Sequence, residues 1–416
     1  MIVQLNRVQT LLAAFAVVLG AVFFAATLQP GYADAGNKKS KNKASKVVKG
    51  PKGVAFYKPP KKTPKRHGKL IWTNKARGVV PLKAAKFTKL VLYTSVTPLG
   101  ERTAVSGSVS IPKGKAPKGG WPMITYGHGT TGIADKCAPS RNTANGPATS
   151  YINYTDDEQN AWLKAGYAVA RTDYQGLGTP GTHAFLIGKA SGRSMLDIVR
   201  ASRDLNVKIS KKYLIAGHSQ GGHASLFAAG LAAKWTPELK LRGTVAYAPA
   251  SHMRLQASSL PLLTSPSSLT ALASLIVKGG TVVDPSIDPN ALLSDPVLAL
   301  YPQVDKECLP QLSEPDSLGG IAPSDLIREG ADTEEFFNLL DKQNPDVKTA
   351  APILLAQGET DTTTFPFLTD ALNDELVALG DNVNYIKYPG VDHGTVLEAA
   401  KSDVAAFFNK RLPSGK

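Results

Sequence analysis

From about Lys89 the chain alternates: KLVLYTSV (89–96) and AVSGSVSIP (104–112) send apolar and polar side chains to opposite faces, with turn residues between them. A period of two in segments rich in Val, Thr and Ser predicts the opening antiparallel strands of a sheet. After Pro122 the character changes to short continuous apolar runs: MITYG, AVARTDY, YLIAG, GTVAYAPA and PILLAQG. Strands read this way when helices cover both of their faces. Helix-like segments at 157–165, 194–205 and 222–234 lie between the runs. The repetition predicts an α/β fold, a mostly parallel central sheet flanked by helices.

The rhythm breaks once. Between Ala250 and Ala351 about a hundred residues lack a clear strand and read as short helices and loops, such as SSLTALASLIVKGG and SDLIREGADTEEFFNLL. An insertion of this size is not one bare loop. The expectation is a helical cap or lid at 251–350, set into a core formed by 70–250 and 351–412.

The chain opens differently. Arg7 precedes an uncharged apolar run, Leu11 to Leu28, and Ala33-Asp34-Ala35 supplies small residues at the two positions that a signal peptidase reads. Residues 1–35 are therefore read as an export signal cleaved near Ala35; the alternative is a retained anchor, since the run is about as long as the shortest membrane-spanning helices.

Net charge sharpens this division. The formal value is +15, but residues 36–100 hold 18 Lys and Arg and no acid. Arg7 and Asp34 cancel, so residues 101–416 carry a net −3. From Gly36 to Lys69 the segment is rich in Lys, Gly and Pro and poor in apolar residues, which reads as a basic disordered arm. Such an arm is either a solvated spacer or a loose contact with an anionic cell wall or membrane surface. It has no basic-aromatic fold, so no nucleic-acid partner is expected. The only cysteines are Cys137 and Cys308. An even count in an exported chain suggests one disulfide, with two buried thiols as the alternative.

The chemistry concentrates at Gly217-His218-Ser219-Gln220-Gly221, between the run YLIA and a small-residue helix. A serine at a sharp strand-to-helix turn presents its hydroxyl above the sheet at a helix N-terminus. The N–H of Gln220 can there meet a developing negative charge. A serine hydroxyl needs a base, and at such turns the acid and the histidine follow in chain order. Asp361 follows PILLAQG, and His393 sits in Gly390-Val391-Asp392-His393-Gly394 before the C-terminal helix. Their roles would be orienting carboxylate and general base. Glu359 competes for the acid, and Asp392 reads as a turn former. His218 and His223 read as packing or hydrogen-bonding groups around the turn. A second oxyanion donor is expected from the glycine-rich loop His128-Gly129-Thr130-Thr131-Gly132, with Thr131 ahead of Thr130. No metal-ligand spacing appears, and no cofactor is expected.

Taken together, HGTTG, CAPS (137–140), TDYQGLG (172–178) and GHSQGG resemble the secretory lipase family, the lipase A-like serine esterases. The likeness extends over roughly residues 70–410. It implies an α/β-hydrolase fold, a helical cap inserted before the acid-bearing strand, and carboxylic esters, triacylglycerols among them, as small-molecule or lipid substrates. It also supports Asp361 and His393 in their roles and a Cys137–Cys308 disulfide, and it leaves Asp173 and Tyr174 as either supports of the site or turn residues. Some members carry G-Y-S-G-G where this chain has His218 and Gln220, so substrate range does not transfer. Acyl transfer, cleavage of polar or aryl esters, a peptidase and a non-catalytic wall- or lipid-binding protein remain as rivals.

Overall fold

The computed structural model describes residues 47–414. The expected signal segment, its cleavage position and residues 36–46 of the arm lie outside the described residues. Among the described residues nine strands form a single sheet in the order β1-β2-β3-β5-β4-β6-β7-β8-β9. The strands are β1 (Leu70–Lys75), β2 (Ala85–Val96), β3 (Arg102–Pro112), β4 (Trp121–Gly127), β5 (Ala168–Thr172), β6 (Ile209–His218), β7 (Lys240–Tyr247), β8 (Ile353–Gly358) and β9 (Val383–Tyr388). The first three pair antiparallel, and β3 meets β5 antiparallel. All pairings from β5 through β4, β6, β7 and β8 to β9 are parallel.

The switch from alternating to continuous apolar sequence marks this change in strand direction. Every residue of β4, β5 and β8 is buried, whereas the edge strand β9 is only half-buried. Helices α1 (Asp156–Ala165) and α8 (Lys401–Arg411) cover one face through Trp162, Leu163, Val404 and Phe408. Helices α2 (Gly188–Ser202) and α3 (Gln220–Trp235) cover the other through Met195, Leu196, Ile198, Ala224 and Ala228.

Between β7 and β8 the described chain is helical. Its longer helices are α4 (Met253–Ser259), α5 (Ser268–Thr281) and α6 (Glu334–Asp341). The α5 start is legible locally: Ser267 accepts a hydrogen bond from the Leu269 N–H at 3.2 Å, satisfying a donor the helix itself cannot. This insertion has its own apolar core of Leu275, Leu293, Val297, Leu312 and Leu318, joined by Phe185 and Ile187 from the segment before α2. Helix α7 (Pro366–Ala378) follows β8.

The basic arm requires a correction. Expected as disordered to Lys69, it is ordered from Val47. Lys49 bridges to Thr73 of β1, the Thr73 N–H donates to Val48 O at 2.9 Å, and the Gly50 N–H donates to Thr73 O at 3.2 Å. Phe56 and Tyr57 pack with Ile71 and Leu92. Composition pointed to disorder because lysines dominate it, but two aromatic side chains anchor the segment by burying large apolar surfaces. We call residues 47–69 the strap.

Candidate active site

At the end of β6 the chain turns into α3 through Ser219, whose φ of 59° and ψ of −119° lie where few side-chain-bearing residues sit. The flanking glycines answer a different need. A Cβ on Gly217 would strike the Gly221 carbonyl, and one on Gly221 would strike the Gly127 carbonyl at the end of β4. They permit close approach of helix and strands, while the unusual angles fall on the serine itself. The Ser219 N–H is held by Tyr247 O of β7 at 2.9 Å. Its hydroxyl makes no hydrogen bond among the described residues.

Asp361 lies in the loop after β8, fully buried, and its Oδ2 stands 2.7 Å from Nδ1 of His393, whose ring is partly exposed. The other carboxylate oxygen accepts the N–H groups of Thr363 and Thr364 at 2.8 and 2.9 Å. Gln357 and the Thr364 hydroxyl both donate to Oδ2. Burial pushes the carboxyl pKa up, but the bonds from His393, Thr364 and Thr363 together outweigh it and hold the group below the ordinary carboxylate range. Glu359 is exposed and forms no hydrogen bond with the imidazole among the described residues. Asp392 forms the expected turn: its Oδ1 accepts from Gly394 N, Thr395 N and Thr395 Oγ1.

His218 does more than pack. Its Nε2 lies 2.7 Å from the carbonyl oxygen of His393, and its Nδ1 lies 2.6 Å from the Tyr154 hydroxyl. A carbonyl can only accept, so Nε2 carries the proton and Nδ1 accepts from Tyr154. Burial first, and then the nearby His393, lowers the His218 pKa to about 3, which keeps the ring neutral. His223 is turned away toward the insertion, where it meets Gln343 O at 2.9 Å. The sequence left His218 open between packing and hydrogen bonding. It could not show that the bond runs to the backbone of His393, 175 positions away.

On the other flank of Ser219, Thr130 and Gln220 line a cavity with it, whereas Thr131 does not. Thr131 is fully buried, its carbonyl accepts the Leu309 N–H at 3.0 Å, and its hydroxyl has no partner. Thr130 is thus the one of the pair that lines the cavity, while Thr131 is the more deeply buried and turns its carbonyl to Leu309 of the insertion. The side-chain amide of Gln220 meets His183 Nε2 at 2.9 Å, and His183 Nδ1 meets Gln175 O at 2.8 Å.

The remaining motifs now have physical tasks. Asp173 accepts from Ser106 Oγ at 2.6 Å, from the Ser140 N–H at 2.8 Å and from the Ser140 hydroxyl, tying β5 to the CAPS segment. Tyr174, at φ 70°, donates to His128 O at 3.0 Å and so holds the glycine-rich loop. Cys137 and Cys308 are disulfide-bonded across 171 positions. Gly132 and Cys308 also form a backbone bridge, so the loop beside Ser219 is tied to the insertion twice. Closing so long a loop restricts the unfolded chain and so stabilises the folded one by at most about 5 kcal/mol.

Two cavities meet at Ser219. One, of about 90 Å³, is walled chiefly by the insertion through Leu260, Leu269, Leu272, Ile276, Phe336 and Leu340. The other, of about 410 Å³, is lined by Tyr151, Tyr154, His218, His393, Ser268 and Ser313. They share Thr130, Ser219, Leu272 and Thr363.

The mostly parallel sheet with helices on both faces and a strand-to-helix turn at Ser219 is the α/β-hydrolase fold. The family that the motifs resemble is also one whose model matches part of the chain: the secretory lipase model aligns with residues 147–260. Lipase 1 of Candida albicans is 30% identical over 156 residues, covering 36% of this chain and 32% of that protein. Lipase A of Moesziomyces aphidis is 34% identical over 82 residues, 20% of this chain and 17% of the relative. These alignments thus span about a third and a sixth of the relatives' lengths. Similarity of fold extends further. Candida antarctica lipase A in its closed state superposes with a TM-score of 0.70 at 20% identity, over 84% of this chain and 85% of that one. The rice cell wall degrading esterase LipA of Xanthomonas oryzae gives 0.66 at 19% identity, over 85% and 100%.

Proposed function

We propose that the protein is a secreted carboxylic ester hydrolase that works through an acyl-enzyme on Ser219. The observation that carries this reading is the position of Ser219 where an apolar cavity meets a hydroxyl-lined cleft, with His393 in the same cleft and bonded to Asp361. The acyl chain lies in the apolar cavity beneath the insertion, which acts as the cap, and the alcohol lies in the cleft. Ser219 Oγ attacks the carbonyl carbon as its proton passes to Nε2 of His393. Asp361 accepts the Nδ1–H bond, fixing the tautomer and stabilising the imidazolium. The N–H of Gln220 and the Thr130 segment stabilise the oxyanion. Collapse expels the alcohol with the proton from Nε2, and a water activated by the same imidazole then releases the acid.

The secretory description of the matching family and the disulfide support an exported protein. An apolar acyl chain is favoured by the leucine and phenylalanine lining, and a medium or long one requires the cap wall to open beyond the cavity of about 90 Å³. A series of p-nitrophenyl esters from acetyl to palmitoyl tests it: kcat/KM rises with chain length, and a maximum at acetyl would overturn the lipid assignment. Ser219→Ala abolishes turnover and labelling by a fluorophosphonate probe; retained turnover would overturn the nucleophile. A second reading, a polar or aryl ester, is favoured by the size of the cleft and by its Tyr151, Tyr154, Ser268 and Ser313 lining. Varying the alcohol at constant acyl group separates the two.

A further inference from the structure

A third concavity, of about 680 Å³, shares no lining residue with the two at Ser219. Its walls are the strap, β1 and the segment that follows CAPS. Five cations line it, Lys49, Lys52, Lys75, Arg77 and Arg141, and no carboxylate does. The first four are exposed, with no ion pair and no side-chain hydrogen bond among the described residues. Arg141 is engaged, with Asp135 at 3.2 Å and the Tyr57 ring at 5.0 Å. A charge imbalance of this kind on a concave wall raises the local concentration of anions.

Two amides distinguish the groove from a merely basic surface. Asn142 is 9% exposed; its Oδ1 accepts from Thr149 at 3.0 Å, while its Nδ2 is buried without an acceptor. Asn74 is the converse: its Nδ2 donates to Pro51 O at 2.7 Å, and its Oδ1 is buried without a donor. Buried polar atoms of this kind are costly unless something pairs with them. Both atoms are sealed from solvent, so a ligand meets them only when the two amides turn into the groove; one that does so supplies negative charge and acceptors, and also hydroxyl donors. Phosphate and carboxylate groups alone supply no donor. A sugar acid supplies both, and its apolar ring faces suit the exposed Val54 on the rim.

We propose that this groove binds an acidic, carboxylate-bearing polysaccharide and holds the protein on such a polymer while the cleft at Ser219 works independently. The full chain is passed over immobilised polygalacturonate, with dextran as the uncharged control and phosphatidylglycerol vesicles as the competing surface. Retention on polygalacturonate in 50 mM salt, release by 0.5 M salt and passage through dextran are expected. The triple variant Lys52→Glu/Lys75→Glu/Arg77→Glu weakens retention by at least about tenfold, with p-nitrophenyl ester turnover unchanged. The variant Lys61→Glu/Lys62→Glu/Lys65→Glu makes the same change of charge on exposed strap positions outside the groove, and leaves most of the retention. Equal losses from both variants would reduce the groove to diffuse attraction and overturn the proposal. Binding to vesicles without binding to polygalacturonate would overturn it as well.

Discussion

The two flanks of Ser219 are held in opposite ways. On the base flank nearly every polar atom is committed: both oxygens of Asp361 accept, His393 is bonded through its ring and its carbonyl, and His218 uses both ring nitrogens. On the oxyanion flank the Thr131 hydroxyl, His128 Nε2 and Gln175 Oε1 are buried without partners. The first arrangement fixes one tautomer and one ring orientation before substrate arrives. The second keeps its backbone in place by tethers to Tyr174 and the disulfide, but leaves side-chain atoms unpaired: Gln175 Oε1 and His128 Nε2, whose ring proton on Nδ1 points at Gly129 O, are acceptors, and the Thr131 hydroxyl is the one donor among the three.

The largest effect that tests this contrast is Asp361→Asn. The amide keeps the shape but favours the wrong tautomer of His393, and kcat falls by about 10⁴. Steady-state turnover of a p-nitrophenyl ester reads it; a loss below about tenfold would remove Asp361 from the role of orienting acid. The shift at Asp361 also has a sign. Its folded pKa lies below the unfolded value, so its contribution to stability is complete above the unfolded pKa and is lost as pH falls through the folded one.

Next in size is His218→Phe. It leaves the carbonyl of His393 without its donor and the Tyr154 hydroxyl without its acceptor. A fall of about 10- to 100-fold in kcat at nearly constant KM is expected, since misplacing the base costs rate rather than binding. His218→Gln restores an N–H toward the same carbonyl and recovers part of the loss. Equal kcat for Phe and Gln would make the residue packing alone.

How far these flanks could be read in advance depends on the range of the interactions. The strand runs and helices were legible because periodicity is local, and Ser219, Asp361 and His393 could be named as candidates because each follows a strand with its own signature; their roles belong to the proposal. The Tyr154–His218–His393 chain was not legible: its members are far apart in sequence, and His218 looked like any histidine beside a turn. The order of Thr131 ahead of Thr130 had little behind it in the sequence, because adjacent residues of a loop differ chiefly in the direction they face. The strap misled for the opposite reason. Its lysines dominate the composition, while Phe56 and Tyr57 determine the fold.

A smaller effect lies beneath both flanks, at Glu158 on α1. Burial, only partly offset by the hydrogen bond from Tyr247, raises its pKa from 4.5 to about 8. The folded state therefore holds a proton that the unfolded state releases, and stability declines as pH rises from about 4.5 to about 8. Glu158→Gln removes that decline. Unfolding midpoints compared at pH 5 and pH 9 should favour the variant at the alkaline end by about 2–4 kcal/mol. Parallel pH profiles for the two proteins would mean that the carboxyl is ionised in the folded state.

The smallest effect gives the sharpest distinction between the two neighbouring threonines. Thr131→Val replaces a buried hydroxyl that has no partner by a methyl group of nearly the same shape, and both side chains are β-branched, so the backbone preference is kept. Its carbonyl still accepts the Leu309 N–H. Stability is expected to hold or to rise by about 1 kcal/mol, and kcat/KM to stay within about twofold. Thr130→Val is the matched comparison, because Thr130 lines both cavities beside Ser219. It costs more than its neighbour if the hydroxyl meets substrate. If instead Thr131→Val lost tenfold or more in a folded protein while Thr130→Val lost nothing, the unpartnered hydroxyl would be the group waiting for the oxyanion, and the loop would have to turn to present it.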